Sequence, residues 1–238
     1  MSARGLVVQH TATEGPGWLG EWLPAAGLEL DVVRPYAGEP LPAAVDVGAL
    51  VVLGGPMGAN DDHVAPWLPR TRALLREAVA TGLPVLGVCL GGQLLAAACG
   101  GRVERGPAGP ELGVQEIQLR PAATDDALLA GLPPTVRVVQ WHYDSVTRLP
   151  LGAAWLAESA AYPHQAFRLG ERAWGLQFHL EPTPAMVGRW VRNDATAVAT
   201  AGLDPENLLD DLVAAEPELT ATWRRVAERW AGLVAAGA

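Results

Sequence analysis

The stretch that most restricts this chain is Pro84-Val85-Leu86-Gly87-Val88-Cys89-Leu90-Gly91-Gly92-Gln93-Leu94-Leu95. An apolar, β-branched run enters Gly-x-Cys-x-Gly and passes at once into a segment rich in Ala and Leu. That order is strand, tight turn, helix, the setting of a nucleophile elbow. Glycines on both sides of the cysteine permit strained dihedrals and let backbone or substrate approach the sulfur. The thiol then sits at a helix N-terminus, where unpaired N–H groups and the helix dipole favour a thiolate. An ordinary thiol, with a pKa of about 8.5, is only a few per cent ionised at neutral pH. By itself the same pattern equally suits a small cysteine buried in a turn. Cys99, the other cysteine, lies in Leu94-Leu95-Ala96-Ala97-Ala98-Cys99 with no elbow around it and is expected to pack in the core.

An elbow needs a sheet, and the surrounding pattern supplies one. Residues 6–10, 30–34, 49–53 and 84–88 are apolar runs without polar alternation, as buried parallel strands are. Helical periodicity occupies 18–23 and 69–81 between them. Pro69 suits the first turn of the second helix and Gly82-Leu83-Pro84 its end. Strand–helix alternation of this kind predicts a parallel sheet with helices on both faces. Further on, 113–119, 138–141, 154–157, 165–168 and 173–179 read as strands, the last two joined as a hairpin by Leu169-Gly170-Glu171-Arg172. An antiparallel portion is therefore appended to the parallel one. Helices are expected over 185–200, from Pro205 to 214, and from Pro217 to the end. Leu219, Trp223, Val226, Trp230 and Leu233 form one apolar stripe of that last helix. The stripe either packs on the same domain or serves as a dimer or partner face.

Composition narrows the chemistry. With 238 residues the chain can bury one substantial core. A formal net charge of -9, and no arginine run longer than Arg224-Arg225, exclude a phosphate-backbone binder. Lysine is absent altogether, which excludes a Schiff-base or P-loop lysine. No apolar run approaches the roughly 20 residues of a membrane span, and the first residues run into a strand without the features of a signal peptide. A cytoplasmic location, no nucleic-acid partner and no membrane contact are the expectations. No His/Cys/Asp/Glu cluster has metal-ligand spacing, and no cofactor is expected.

A cysteine nucleophile needs a base oriented by a third group. His179, in Gly175-Leu176-Gln177-Phe178-His179-Leu180-Glu181, falls at the carboxyl end of an expected core strand, where open α/β sheets carry their sites. Glu181, two residues on, can accept from the second ring nitrogen and fix the tautomer. His142, in Gln140-Trp141-His142-Tyr143-Asp144-Ser145, is the rival base; His10, His63 and His164 have no recognisable setting. In Val51-Val52-Leu53-Gly54-Gly55-Pro56-Met57-Gly58 another strand ends in a glycine turn. It is either a plain turn or an oxyanion site, with the Gly55 amide as one donor and the Leu90 amide as the other; such a donor contributes about 3 kcal/mol to barrier lowering.

Together the ordered motifs Gly54-Gly55-Pro56, Gly87 to Gln93, Trp141 to Ser145 and Gly175 to Glu181 resemble the class I, triad-type glutamine amidotransferase domain over roughly residues 5–195. The resemblance implies an α/β, flavodoxin-like parallel/mixed sheet flanked by helices, with an appended antiparallel portion and C-terminal helices. Residues 1–200 would form the domain and 201–238 a helical extension packed on it. It further implies that Cys89 attacks a γ-carboxamide, that His179 is base and then acid, and that Glu181 orients it. Gln93 and Tyr143, Asp144 and Ser145 would hold the amino-acid end of the γ-glutamyl group. The family usually places proline between the histidine and the glutamate, where this chain has Leu180, so that φ is not preset. Glutamine hydrolysis for a synthetase partner is one expectation. A stand-alone hydrolase of γ-glutamyl peptides or glutathione conjugates is a second, and a degenerate, non-enzymatic subunit held to others through the C-terminal helices, with Cys89 unreactive, a third. A homodimer is a further expectation.

Overall fold

A computed structural model of the chain describes residues 3–237. Four parallel strands, β1 (Ala3–Val8), β2 (Leu28–Val33), β3 (Ala49–Val52) and β4 (Val85–Val88), alternate with α1 (Leu19–Ala25), α2 (Leu68–Thr81) and α3 (Leu90–Ala98). The chain then forms β5 (Arg102–Arg105), β6 (Glu111–Leu119), β7 (Thr135–His142), β8 (Asp144–Arg148), β9 (Ala154–Glu158), β10 (Ala166–Leu169) and β11 (Ala173–Leu176). Three helices complete it: α4 (Pro184–Asn193), α5 (Ala195–Thr200) and α6 (Pro205–Ala235). Nine strands make one sheet in the order β2-β1-β3-β4-β11-β10-β9-β6-β7. Its β2-to-β11 portion is parallel and the remainder antiparallel, the mixed sheet expected.

The strand pleat sorts the core into two layers. Leu6, Val8, Leu50 and Val52 face α2 and α3, where Leu74, Leu75, Leu94 and Leu95 meet them. Val7, Val51, Leu86 and Val88 point the other way, into a cluster that includes Leu23 of α1, Trp190 of α4 and Trp223 and Trp230 of α6. Chain order reverses at β1, which pairs with β2 on one side and β3 on the other. That reversal opens a crevice at the carboxyl ends of the strands.

Three boundaries differ from the sequence expectation. The final core strand ends at Leu176, and His179 keeps only an isolated antiparallel bridge to Val139. Residues 185–200 form two helices because Asp194 turns its carboxylate back to accept from Trp141 Nε1 (2.8 Å) and Tyr143 Oη (3.2 Å). Conversely, residues 205–235 are one helix that runs through Pro217. An interior proline costs about 3 kcal/mol, yet Leu212, Ala215, Leu219 and Trp223 keep the buried face continuous across it. Trp223 and Trp230 are both buried within this chain, so they are not exposed partner anchors. The β5–β8 ribbon had no signal distinct enough to be read from the sequence. Among the described residues no helix is long and apolar enough to cross a membrane.

Candidate active site

Cys89 sits between β4 and α3 with φ 49° and ψ -106°, and is the one described non-glycine residue with positive φ. Such a conformation costs on the order of 1–3 kcal/mol and persists only when its surroundings enforce it. The flanking glycines show how. A Cβ on Gly91 would collide with the Val52 carbonyl oxygen, one on Gly92 would lie 2.7 Å from Leu176 O, and one on Gly87 would lie 2.6 Å from Gly91. Bare backbone thus lets the first turn of α3 rest directly on β3, β4 and β11. The Cys89 amide donates to Leu176 O at 2.8 Å, which ties the elbow to the strand leading to His179.

His179 is 1 % exposed, and its backbone amide donates to Val139 O at 2.8 Å. Its Nδ1 lies 2.7 Å from Glu181 Oε1. A carboxylate can only accept, so Nδ1 carries a proton toward Glu181. Cys89 acts electrostatically on the same ring, while its Sγ donates to Trp141 O at 3.8 Å and accepts from Gln177 Nε2 at 3.9 Å. Burial disfavours the charged ring, but Glu181 and Cys89 outweigh it and hold the imidazole well above its ordinary pKa of 6.5. Trp190 packs on the ring at 4.8 Å between centroids. Leu180, buried at 3 %, does not prevent the short His179–Glu181 contact.

Cys89 opens into a cavity of about 590 Å³ walled by Thr11, Glu14, Gly55, Gln93, Tyr143 and Asp144, among others. Gly55 adjoins Leu90, the first residue of α3: a Cβ on Gly55 would stand 2.9 Å from Leu90 Cδ2 and 2.9 Å from His10 Cβ. The Leu90 amide belongs to the helix's first turn, which has no intrahelical acceptors. Gln93 Nε2 donates to Asp144 O at 2.9 Å and to Gln177 Oε1 at 3.3 Å, so it braces the Tyr143–Asp144 wall. Ser145 lies outside this wall, buried in β8 opposite Glu104. The segment around Gly58 reaches the cavity through Gly58 and Asp61, whereas Tyr162 to Gln165 do not.

The rival base is otherwise engaged. His142 Nε2 lies 2.9 Å from Glu111 Oε2 and its Nδ1 3.0 Å from Asp144 O, so neither nitrogen is free for the thiol. Among the described residues no group of three His, Cys, Asp or Glu side chains could hold a metal ion.

The family model for glutamine amidotransferase class-I matches residues 20–195. The chain belongs to the class I glutamine amidotransferase family. It is 32 % identical over 198 residues to the glutamine amidotransferase-like protein YfeJ of Salmonella typhimurium, covering 82 % of each chain. It is 34 % identical over 202 residues to the glutamine-hydrolyzing GMP synthase of Aeropyrum pernix, 83 % of this chain but only 35 % of that protein. The crystal structure of a glutamine amidotransferase from Thermotoga maritima superposes with a TM-score of 0.87 at 29 % identity, over 97 % of this chain and 99 % of that one.

Beside the family motifs, this family member carries groups at the candidate site that the sequence did not single out. Glu14 and Asp194 both line the cavity. Desolvation, opposed by the pull of His179 and aided by Glu181 and Asp194, sets the Glu14 carboxyl at about 7. His10 is buried behind the Gly55 turn, accepts from Trp67 Nε1 at 2.9 Å, and is lowered by burial to about 4. Glu14 stands in Thr11-Ala12-Thr13-Glu14-Gly15, which matches no motif, and Asp194 in a stretch of helical pattern. Only the tertiary fold brings them to the strand ends.

Proposed function

We propose that this chain hydrolyses a γ-glutamyl amide through Cys89, with glutamine as the acyl donor and ammonia and glutamate as products. The observation that supports this reading is a strained elbow thiol that shares one cavity with Gly55, a buried His179–Glu181 pair 2.7 Å apart whose ring feels the same cysteine, and Leu90 adjoining the Gly55 turn. The thiol proton passes to His179 Nε2 as sulfur attacks the γ-carboxamide carbon. The oxyanion that forms is held by the Gly55 and Leu90 amides. The C–N bond then breaks as the imidazolium returns its proton to the leaving nitrogen, which departs as ammonia and leaves a γ-glutamyl thioester on Cys89. Water, deprotonated by His179, attacks the thioester carbonyl, glutamate leaves, and the thiol is restored. Glu181 holds the tautomer and balances the imidazolium throughout. Gln93, Tyr143 and Asp144, with Ser145 behind them, bind or brace the amino-acid end of the donor.

A synthetase partner that takes up the ammonia fits the Aeropyrum GMP synthase, of which this chain matches 35 %. The cavity favours a second donor class. At about 590 Å³ it extends past Cys89 to Asn193 and Asp194, space in which a γ-glutamyl peptide's leaving amine can sit. Of the 201–238 extension, the described residues 201–237 belong with the same unit in this reading, since the apolar face of α6 lies in the common core.

Purified wild type and Cys89→Ala, each incubated with glutamine and separately with glutathione, separate the alternatives. Ammonia from glutamine, absent in the variant, supports the glutaminase reading. Glutamate from glutathione instead supports the peptidase reading. No Cys89-dependent product from either donor, with or without added synthetase, overturns both.

A further inference from the structure

Three edges of the His179 ring have polar neighbours, and the mechanism above uses two. Nδ1 faces Glu181, and the proposed mechanism assigns Nε2 to Cys89, whose charge acts on the ring. The third edge, Cε1, turns toward Gly54. A Cβ built on Gly54 would lie 2.9 Å from His179 Cε1 and run into Glu14 Oε2, so these two groups are neighbours across a bare glycine. The loop carrying Glu14 is fastened to the same assembly on both sides. Trp190 Nε1, on the helix that packs against the ring, donates to Thr13 O at 3.3 Å. Beyond Glu14, the Trp18 amide donates to Glu181 O at 2.8 Å. Between them Gly17, at φ +48°, has no room for a side chain because a Cβ there would collide with the Glu181 carbonyl oxygen.

We propose that Glu14 is a positioning residue for His179, a second carboxylate on the ring whose charge holds the imidazole in the form that has accepted the Cys89 proton. The proposal rests on the reading of Cys89 and His179 as nucleophile and base. The Cε1–H of an imidazolium carries much of its positive charge, so an ionised carboxylate on that edge stabilises the charged ring, while a protonated one does little. The charged groups that act on Glu14 are His179, Glu181 and Asp194. Farther round the cavity stand Asp61, Asp144 and Arg105, whose guanidinium lies 4.7 Å over the Tyr143 ring and 3.9 Å from Asp144. His179 is thus the near cation among three carboxylates. Because Glu14 ionises around pH 7, its effect is absent at pH 5.5 and complete at pH 8.5.

The test is the rate of Cys89 alkylation by iodoacetamide between pH 5 and 9, located by peptide mapping, in wild type, Glu14→Gln, Glu14→Asp and His179→Asn. The expected result is a step near pH 7 in wild type and Glu14→Asp that Glu14→Gln lacks. An opposite charge at this range shifts a partner by about one pKa unit or more, so Glu14→Gln should be slower by about tenfold at pH 8.5 and by less than about twofold at pH 5.5. Superimposable profiles for wild type and Glu14→Gln overturn the proposal, and so does a uniform loss at every pH, which marks a merely structural role. If Glu14→Gln fails to fold, the ring-nitrogen NMR shifts of His179 in wild type decide: an inflection near pH 7 supports the proposal and its absence overturns it. Should His179→Asn leave alkylation unchanged, the base assignment itself falls. Slowing in His179→Asn with no change in Glu14→Gln removes only the role given to Glu14.

Discussion

Two groups at the cavity, the buried His10 and the half-buried Glu14, respond to acid in opposite directions, and their substitution gives a quantitative check on the site's electrostatics. Burial lowers His10 from 6.5 to about 4. The unfolded chain protonates this ring below pH 6.5 while the folded chain refuses the proton, so its contribution to stability is complete above 6.5 and lost as pH falls toward 4. Burial raises Glu14 from 4.5 to about 7. Here the folded chain keeps a proton that the unfolded chain has released, so stability falls as pH rises from 4.5 through 7. Each tenfold in a protonation equilibrium is about 1.4 kcal/mol, which makes either gap about 3 kcal/mol. For Glu14 we discount this to about 2 kcal/mol, because its side chain reaches the open cavity. In wild type the two slopes oppose each other between pH 4.5 and 6.5. Urea unfolding followed by tryptophan fluorescence at pH 4.5, 6, 7 and 8 separates them. Glu14→Gln should gain about 2 kcal/mol on wild type between pH 4.5 and pH 8. His10→Asn should lose most at pH 8 and progressively less toward pH 4. A Glu14→Gln difference that is flat from pH 4.5 to 8 would refute the burial argument.

Two further outcomes follow from the site's geometry. Gly91→Ala drives a methyl group into the Val52 carbonyl oxygen, a backbone collision that should lower stability by about 3 kcal/mol and be visible as a reduced Tm. Glu181→Gln keeps the shape but removes the charge on His179 Nδ1, and should reduce kcat by at least about a hundredfold with little change in KM, read by steady-state ammonia release.

How far the sequence discloses this molecule depends on how local each feature is. Parallel strands buried on both faces must be apolar throughout, so β1 to β4 stand out, and the elbow stands out because glycines must flank a strained cysteine. His179 and Glu181 were legible as a pair two residues apart, although the strand expected to carry them ends at Leu176. Other features depend on distant partners. Pro217 signals a helix start by itself, but the packed face of α6 overrides it. Asp194 breaks a helical pattern only because Trp141 and Tyr143 call its carboxylate away. Glu14 has no local signal at all, since its place beside His179 comes from a loop that crosses from β1 to the Glu181 backbone.

The most direct test of the account is to trap the covalent intermediate. Wild type mixed with glutamine, quenched in acid within milliseconds and digested, should yield a γ-glutamyl thioester on the peptide that carries Cys89, lost in Cys89→Ala and depleted in His179→Asn. An adduct on Cys99 instead, or glutamate released with no adduct on Cys89 at any quench time and undiminished in Cys89→Ala, would contradict the assignment of Cys89 as the nucleophile.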